Sequence, residues 1–412
     1  MNGHLFRKKC KTYRIKLRNE RINMDANNTG IFFGGGVLRA SKVRNSSIEL
    51  LKVLAMALII LSHSVPKAGL SELAHSGVID VSLATSDVQE FIAILCAYLG
   101  QIGNAIFIVC SAWFLLDSNR INLSKVTSIV LDCLLISVFM LGVFLCFGYR
   151  FPLKMIVRQF MPTILGTNWF ITTYIIFYMI HPYLNRVINN LKQKEHFIVN
   201  ITFAVFYCIL AVIKDSLLYF NKLLGFIIIY FFVAYMKKYM ENFMNSRKIN
   251  LMILISNIVG LFALVLVTDI VGLMLPLFSD KVSLWCKFWN PLMIAIGISA
   301  FNLAKMKTYK NERINFLSSL SMLVLCFHCN PLVMLYFRFD FFEYIYRQFT
   351  FQHILLWILL FALFLAVTSI LLSFIYKKSV AKTTKKWGEK ISSKINVVCD
   401  TLFIYSHMLD KS

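Results

Sequence analysis

The chain alternates long apolar runs with short polar segments. A transmembrane helix needs about 20 mostly apolar residues. Ten runs approach that length, at about 48–65, 91–116, 126–147, 168–184, 197–212, 222–236, 251–267, 286–304, 316–337 and 353–376. The fourth, fifth and sixth are short or interrupted. None resembles a β-barrel strand, and runs this long satisfy their backbone hydrogen bonds in lipid only as helices. The pattern predicts an all-α polytopic membrane protein of about ten helices. It divides the chain into an N-terminal segment 1–47, a transmembrane domain 48–376 and a tail 377–412.

Charge sharpens this picture. The 412 residues are 58% hydrophobic and 15% charged, with 43 Lys+Arg against 20 Asp+Glu. A net charge of +23 would suggest nucleic acid in a polar protein. Here the basic residues sort by side. With the N-terminus cytoplasmic, 32 of the 43 fall in inner segments and 10 in outer ones, and the short inner loop 305–315 alone holds four. The positive-inside rule therefore predicts two cytoplasmic ends and an even number of helices, and it removes nucleic acid as a partner. The remaining basic residue, Lys52, lies inside the first run.

The N-terminal segment is basic and contains Gly34-Gly35-Gly36; no apolar run falls in its first 30 residues, so it does not read as a cleavable signal peptide. Met24 is a second candidate start. The tail from Lys377 is basic and has a helical pattern at 385–395, read as a solvated cytoplasmic tail near anionic lipid. The ten cysteines are scattered singly, which gives no disulfide framework. Cys326 and Cys329 have CxxC spacing, but no second ligand cluster accompanies them, so no metal is expected. No internal repeat stands out.

Ionisable groups in a span are costly and are functional candidates by default. Lys52 and His63 are 11 residues apart, within about 20° of one helix face and separated by roughly 16 Å along the axis. Glu49 lies one turn from Lys52, where an i,i+3 pair forms. The ordinary explanations are an interfacial ion pair with Lys52 snorkelling, and a structural imidazole bonded to a carbonyl. His328 lies 12 residues into the ninth run and His63 15 residues into the first. Both helices run outward, so both imidazoles reach similar depth, which favours a shared polar cavity. In the second run Gly103, Phe107 and Ser111 share a face suited to close helix approach, beside an intramembrane Asn104. Asn168-Trp169-Phe170 opens the fourth run near the outer interface, where aromatic residues are usual. Asp132 and Asp269 acquire no role, and His181-Pro182 is expected to end a helix.

Together these features resemble acyltransferase family 3, integral-membrane O-acyltransferases of surface polysaccharides. Four segments over about 44–376 carry the resemblance: Glu49, Lys52 and His63; Gly103, Phe107 and Ser111; Trp169-Phe170; and Ser321 followed seven positions on by His328. The chain departs from the usual pattern at Lys52, where Arg is common, and at Ser111-Ala112, where Ser-Gly is usual. Lys keeps the charge but not the planar fork that grips phosphate.

The resemblance implies acyl transfer from cytoplasmic acyl-CoA, most often acetyl-CoA, to a sugar hydroxyl of an exported polysaccharide or lipid-linked glycan, at a bacterial cell membrane. His63 would be the general base. Lys52 would hold CoA phosphates, with Glu49 orienting it. His328, Asn104 or Ser111 would donate to the carbonyl oxygen, or His328 would orient the acceptor. Trp169 falls on the substrate side. Direct attack and an acyl-His63 relay both remain open. The rival classes are a flippase of lipid-linked oligosaccharide and a glycan polymerase.

Overall fold

The computed structural model describes residues 44–65, 87–210, 221–274, 285–349 and 353–409. The basic N-terminal segment with Met24 and Gly34-Gly35-Gly36, most of the 66–90 loop and the Asp269 side chain lie outside the described residues. Among those described, every regular element is helical. In order they are α1 (Ser46–Ser64), α2 (Asp87–Leu115), α3 (Leu123–Cys146), α4 (Leu153–Phe160), α5 (Trp169–Asn190), α6 (Gln193–Thr202) running into a π-helical Phe203–Leu210, α7 (Lys222–Tyr239), α8 (Glu241–Asn245), α9 (Arg247–Met274) and α10 (Pro291–Met306). There follow α11 (Glu312–Ser318), α12 (Ser321–His328), a π turn Val333–Phe337, α13 (Arg338–Phe349), α14 (Ile354–Ser379) and α15 (Ala381–Leu409).

Five helices are long and apolar enough to cross a membrane: α1, α2, α3, α9 and α14. A bent pair in which α12 meets Val333–Phe349 at 53° makes a sixth if the two are one broken span and not a re-entrant loop. The chain is therefore a multi-pass helical protein, with five or six such spans among the described residues. Other predicted runs are helical but shorter or more polar. At 16 residues α10 reaches only about 24 Å, against a hydrocarbon thickness of about 30 Å. The second half of α5 carries His181, Asn185, Arg186, Asn189 and Asn190.

The ninth run differs from its sequence reading. A single straight span was expected over 316–337; instead the chain breaks twice. Ser319-Leu320 separates α11 from α12, and Cys329-Asn330 ends α12 before Pro331 begins the next segment. Proline lacks an N–H and disfavours helical backbone at the residue before it, which favours a stop at Asn330. Asn330 also supports the bend: its Oδ1 accepts from the Leu332 N–H at 2.9 Å and its Nδ2 donates to Gln159 Oε1 at 3.1 Å. His181-Pro182 also departs from expectation. Helix α5 continues through it to Asn190. Pro182 cannot donate to the Tyr178 carbonyl, and the His181 ring Nδ1 contacts that same oxygen, filling the gap.

At the centre α1 packs along α2 and also meets α10, α11, α12 and α14. Apolar burial drives nothing between helices in lipid, so close fit must. A methyl on Gly103 would stand 2.5 Å from the Ala55 carbonyl oxygen, and one on Gly100 2.6 Å from the Ser62 Cβ. The two helices thus touch at the backbone, and Ser62 Oγ donates to the Ala97 carbonyl at 2.8 Å. Position follows burial: 56% of the apolar window of α2 is buried against 11% in α9, which faces outward. The tail is more than a solvated extension. Helix α15 lies along α3, Thr127 Oγ1 donating to the Gly388 carbonyl at 2.9 Å. Asp132, which had no role in the sequence, accepts from Tyr376 Oη at 2.9 Å.

Candidate active site

The N-terminal end of α1, called inner after the topology the basic residues predict, is built first by its cap. Asn45 accepts from the Ser47 N–H at 3.0 Å, and Asn311 N–H donates to Ser46 Oγ at 2.7 Å, which ties α1 to the start of α11. One turn on, Lys52 Nζ stands 2.8 Å from Glu49 Oε2, the expected i,i+3 pair. Glu49 is buried, and Ser318 Oγ donates to the same carboxylate oxygen. A buried carboxylate needs such partners, because an ion without them costs several kcal/mol by order of magnitude. Ser318 belongs to the break in the ninth run, so the break serves the ion pair as well as the imidazole.

Two further lysines gather near this end. Helix α2 runs antiparallel to α1, with Gly100 opposite Ser62 and Gly103 opposite Ala55 and Ile59. Its last turn therefore falls at the level of Lys52. There Lys237 and Lys305 lie 4.3 Å and 4.9 Å from the centre of the Trp113 ring, and Lys237 Nζ pairs with Asp117 at 2.7 Å.

The C-terminal end of α1, outer by the same predicted topology, holds the imidazoles. His63 is in its last turn, and His328 is in the last turn of α12. Their ring centres are 5.3 Å apart. His328 is buried, and its Nδ1 lies 2.7 Å from the Val324 carbonyl oxygen. A carbonyl only accepts, so this bond puts the ring proton on Nδ1 and leaves a lone pair on Nε2. Between the rings stands Cys329, whose Sγ is 3.2 Å from His63 Nδ1 and 3.2 Å from His328 Nε2. Arg338 of α13 is buried and reaches back to α1, donating to the His63 and Val65 carbonyls at 3.0 and 3.1 Å. It caps the helix end that carries His63.

Two spaces flank this group. A cavity of about 440 Å³ has His328 on its wall, with Met140, Phe144, Phe327, Phe337 and Phe364. On another side, Cys329 borders a small recess with Ser137, Thr167, Asn168 and Asn330.

The structure thus brings His63 and His328 together and pairs Glu49 with Lys52. The other candidates are spread along the bundle. Asn104 is buried in α2, its Nδ2 3.5 Å from Gln101 Oε1. Ser111 is half-buried and, by the α1–α2 register, about 16 Å along the axis from the level of Ser62. That puts it at the Lys52 end and not beside the imidazoles. Trp169 stacks on Phe288 at 5.7 Å, and Lys222 Nζ lies 4.4 Å from its ring centre. Its neighbour Asn168 caps α5 and borders the recess at Cys329.

Sequence reasoning missed Ser318, Arg338, the Trp113 lysines and the position of Cys329. The CxxC spacing drew attention to Cys326, but the two cysteines part company: Cys326 Sγ lies 3.4 Å from Cys133 Sγ while Cys329 turns to the imidazoles. The adjacency of His328 and Cys329 was the available signal.

The candidate site is thus set in a multi-pass helical bundle, with the imidazoles of His63 and His328 facing each other from two helices and Glu49 paired with Lys52 at the other end of α1. The chain belongs to acyltransferase family 3: the family's acyltransferase domain matches residues 45–375. It is a membrane acyltransferase. No curated protein and no solved structure matches it.

Proposed function

We propose that the chain moves an acyl group, acetyl in the simplest case, from cytoplasmic acyl-CoA to a sugar hydroxyl of an exported polysaccharide or its lipid-linked precursor. The observation that carries this reading is the division of α1 into a charged end and an imidazole end. The roughly 16 Å between them suits an extended pantetheine arm, phosphates at one end and thioester at the other. Lys52, oriented by Glu49, meets the phosphates by charge. Lys237 and Lys305 at the same end add charge of the right sign.

At the other end a hydroxyl nucleophile must lose its proton as it attacks, and His63 is the base. His328 carries its ring proton toward Val324, so in its neutral form it accepts at Nε2. That favours an orienting role for His328 over donation to the carbonyl oxygen. Asn104 is the amide donor for that oxygen, and Trp169 is a wall for the acceptor. The apolar cavity beside His328 suits a hydrocarbon portion of donor or acceptor. The topology that goes with this reading is ten spans with both ends in the cytoplasm, at the cell membrane, as the basic residues sort. Membership of an acyltransferase family leaves the flippase and polymerase readings without support.

Mass spectrometry of surface glycan with and without the gene tests the acceptor. Purified protein with acetyl-CoA tests the donor through release of CoA thiol. Loss of glycan acetylation and CoA release are expected; an unaltered glycan together with no CoA release overturns the reading. A reporter in the 66–90 loop is expected to be accessible from outside, and protection there overturns the topology.

A further inference from the structure

The imidazoles of His63 and His328 face a thiol. Cys329 Sγ lies 3.2 Å from a nitrogen of each ring. The lone pair on His328 Nε2 is directed at this sulfur, because its Nδ1–H is held by the Val324 carbonyl. The arrangement has the three parts of an activated nucleophile: a nucleophilic atom, a base within hydrogen-bond reach, and a third group that fixes the base. A thiol is a weak nucleophile until it loses its proton, and the His328 Nε2 lone pair stands where that proton can go, with His63 Nδ1 against the same sulfur. Any acceptor hydroxyl that used these nitrogens would first have to displace the sulfur. Cys329 is also half-buried as a residue and borders the small recess with Asn168 and Thr167. Cys326, three residues earlier, is buried against Cys133 and has no such setting.

We propose that Cys329 is the acyl-carrying nucleophile of this chain, and that transfer runs through a thioester on its sulfur. The inference rests on the acyl-CoA reading above. In the first step an imidazole takes the thiol proton, Sγ attacks the acyl-CoA carbonyl, the carbon–sulfur bond to CoA breaks, and the CoA thiolate takes the proton. One thioester is exchanged for another, so no energy source or further reactant is needed. In the second step the acceptor hydroxyl attacks the acyl-Cys329 carbonyl, an imidazole accepts the hydroxyl proton, and that proton returns to the departing sulfur. The products are the O-acyl sugar, CoA thiol and the original Cys329. Holding the acyl group on Sγ removes the need for donor and acceptor to occupy the crowded outer end of α1 together.

The test uses the full chain in detergent or lipid discs with radiolabelled acetyl-CoA and no acceptor. Wild type is expected to take up one acetyl group on the peptide containing Cys329, released by neutral hydroxylamine as a thioester is. Cys329→Ala is expected to take up none and to transfer at least about a hundredfold more slowly. Cys329→Ser keeps the shape and offers a poorer leaving group. It is expected to trap the acetyl group as an oxygen ester that resists neutral hydroxylamine, a result no structural role for Cys329 would give. Transfer by Cys329→Ala at the wild-type rate overturns the proposal, as does label mapped to His63, or active wild type with no label on it or on Cys329→Ser. Wild type that never consumes acyl-CoA overturns the donor reading itself, which separates the two failures.

Discussion

The two ends of α1 solve opposite problems with the same helix. The inner end holds a buried carboxylate and an ammonium that neutralise each other, with Ser318 completing the carboxylate. The outer end holds two imidazole rings and a thiol in contact, with one nitrogen of each ring 3.2 Å from the same sulfur. Charge is fixed at one end and proton movement is made possible at the other. Both ends borrow from the broken ninth run: Ser318 precedes its first interruption, and His328 and Cys329 stand at its second. An unbroken helix would present residues 318 and 328 about 15 Å apart on one rod, with no freedom to meet both ends of α1 independently.

If this contrast is right, damage at the outer end removes chemistry and damage at the inner end weakens donor binding. The largest effect belongs to His63→Ala, which should cut acyl transfer by about a hundredfold to ten-thousandfold while leaving the amount of protein in the membrane unchanged. Glycan acetylation in cells and immunoblotting of membranes measure the two together. Acetylation that persists would remove His63 from the reaction.

Next comes Arg338→Ala. It deletes two charge-assisted bonds, to the His63 carbonyl in the last turn of α1 and to that of its cap residue Val65, each worth roughly 1.5–3 kcal/mol. The end of α1 should loosen, kcat should fall with little change in KM for acyl-CoA, and Arg338→Lys should recover part of the loss. A change confined to KM would place Arg338 at the donor site instead and blur the difference between the ends.

Lys52 tests the inner end by the opposite split. Lys52→Ala should raise KM for acyl-CoA by about tenfold, as loss of one charge-assisted phosphate contact does, while Lys52→Arg should stay near wild type. Because the alanine variant also leaves Glu49 buried without its cation, thermal stability should be measured beside the kinetics. Equal activity of the two variants would take Lys52 out of donor binding.

The helical architecture was legible where it depends on composition, and the candidate site where it depends on spacing. Long apolar runs announce helices because lipid permits little else. Lys52 and His63 share one helix face by arithmetic, and Glu49 meets Lys52 by i,i+3 geometry. Ser318 and Arg338 were not legible, because their partners lie 269 and 275 residues away in the chain, and Cys329 showed only its adjacency to His328, its contact with His63 spanning 266 residues. No periodicity encodes a contact made across a helix break. Pro331 did mark that break in the sequence, but a proline in an apolar run reads equally as a tolerated kink, as Pro182 in α5 proves to be. The two prolines differ in what replaces the lost bond: the His181 ring contacts the stranded Tyr178 carbonyl, whereas Asn330 turns away to Leu332 and Gln159.

The smallest effect separates a positioning residue from a binding one. Ser318 touches Glu49, and Glu49 touches Lys52; Ser318 itself is two steps from any phosphate. Ser318→Ala deletes a single hydrogen bond to a charged group, worth about 1.5–3 kcal/mol to the folded pair at most, and only a fraction of that passes on to Lys52. KM for acyl-CoA should therefore rise about two- to threefold with kcat unchanged. The effect should vanish in the Lys52→Ala background, because a residue acting only through Lys52 has nothing left to position. Additive effects in the double variant would mean that Ser318 meets the donor itself, and the inner end would then be a binding surface spread over two helices and not a single cation held in place by its neighbours.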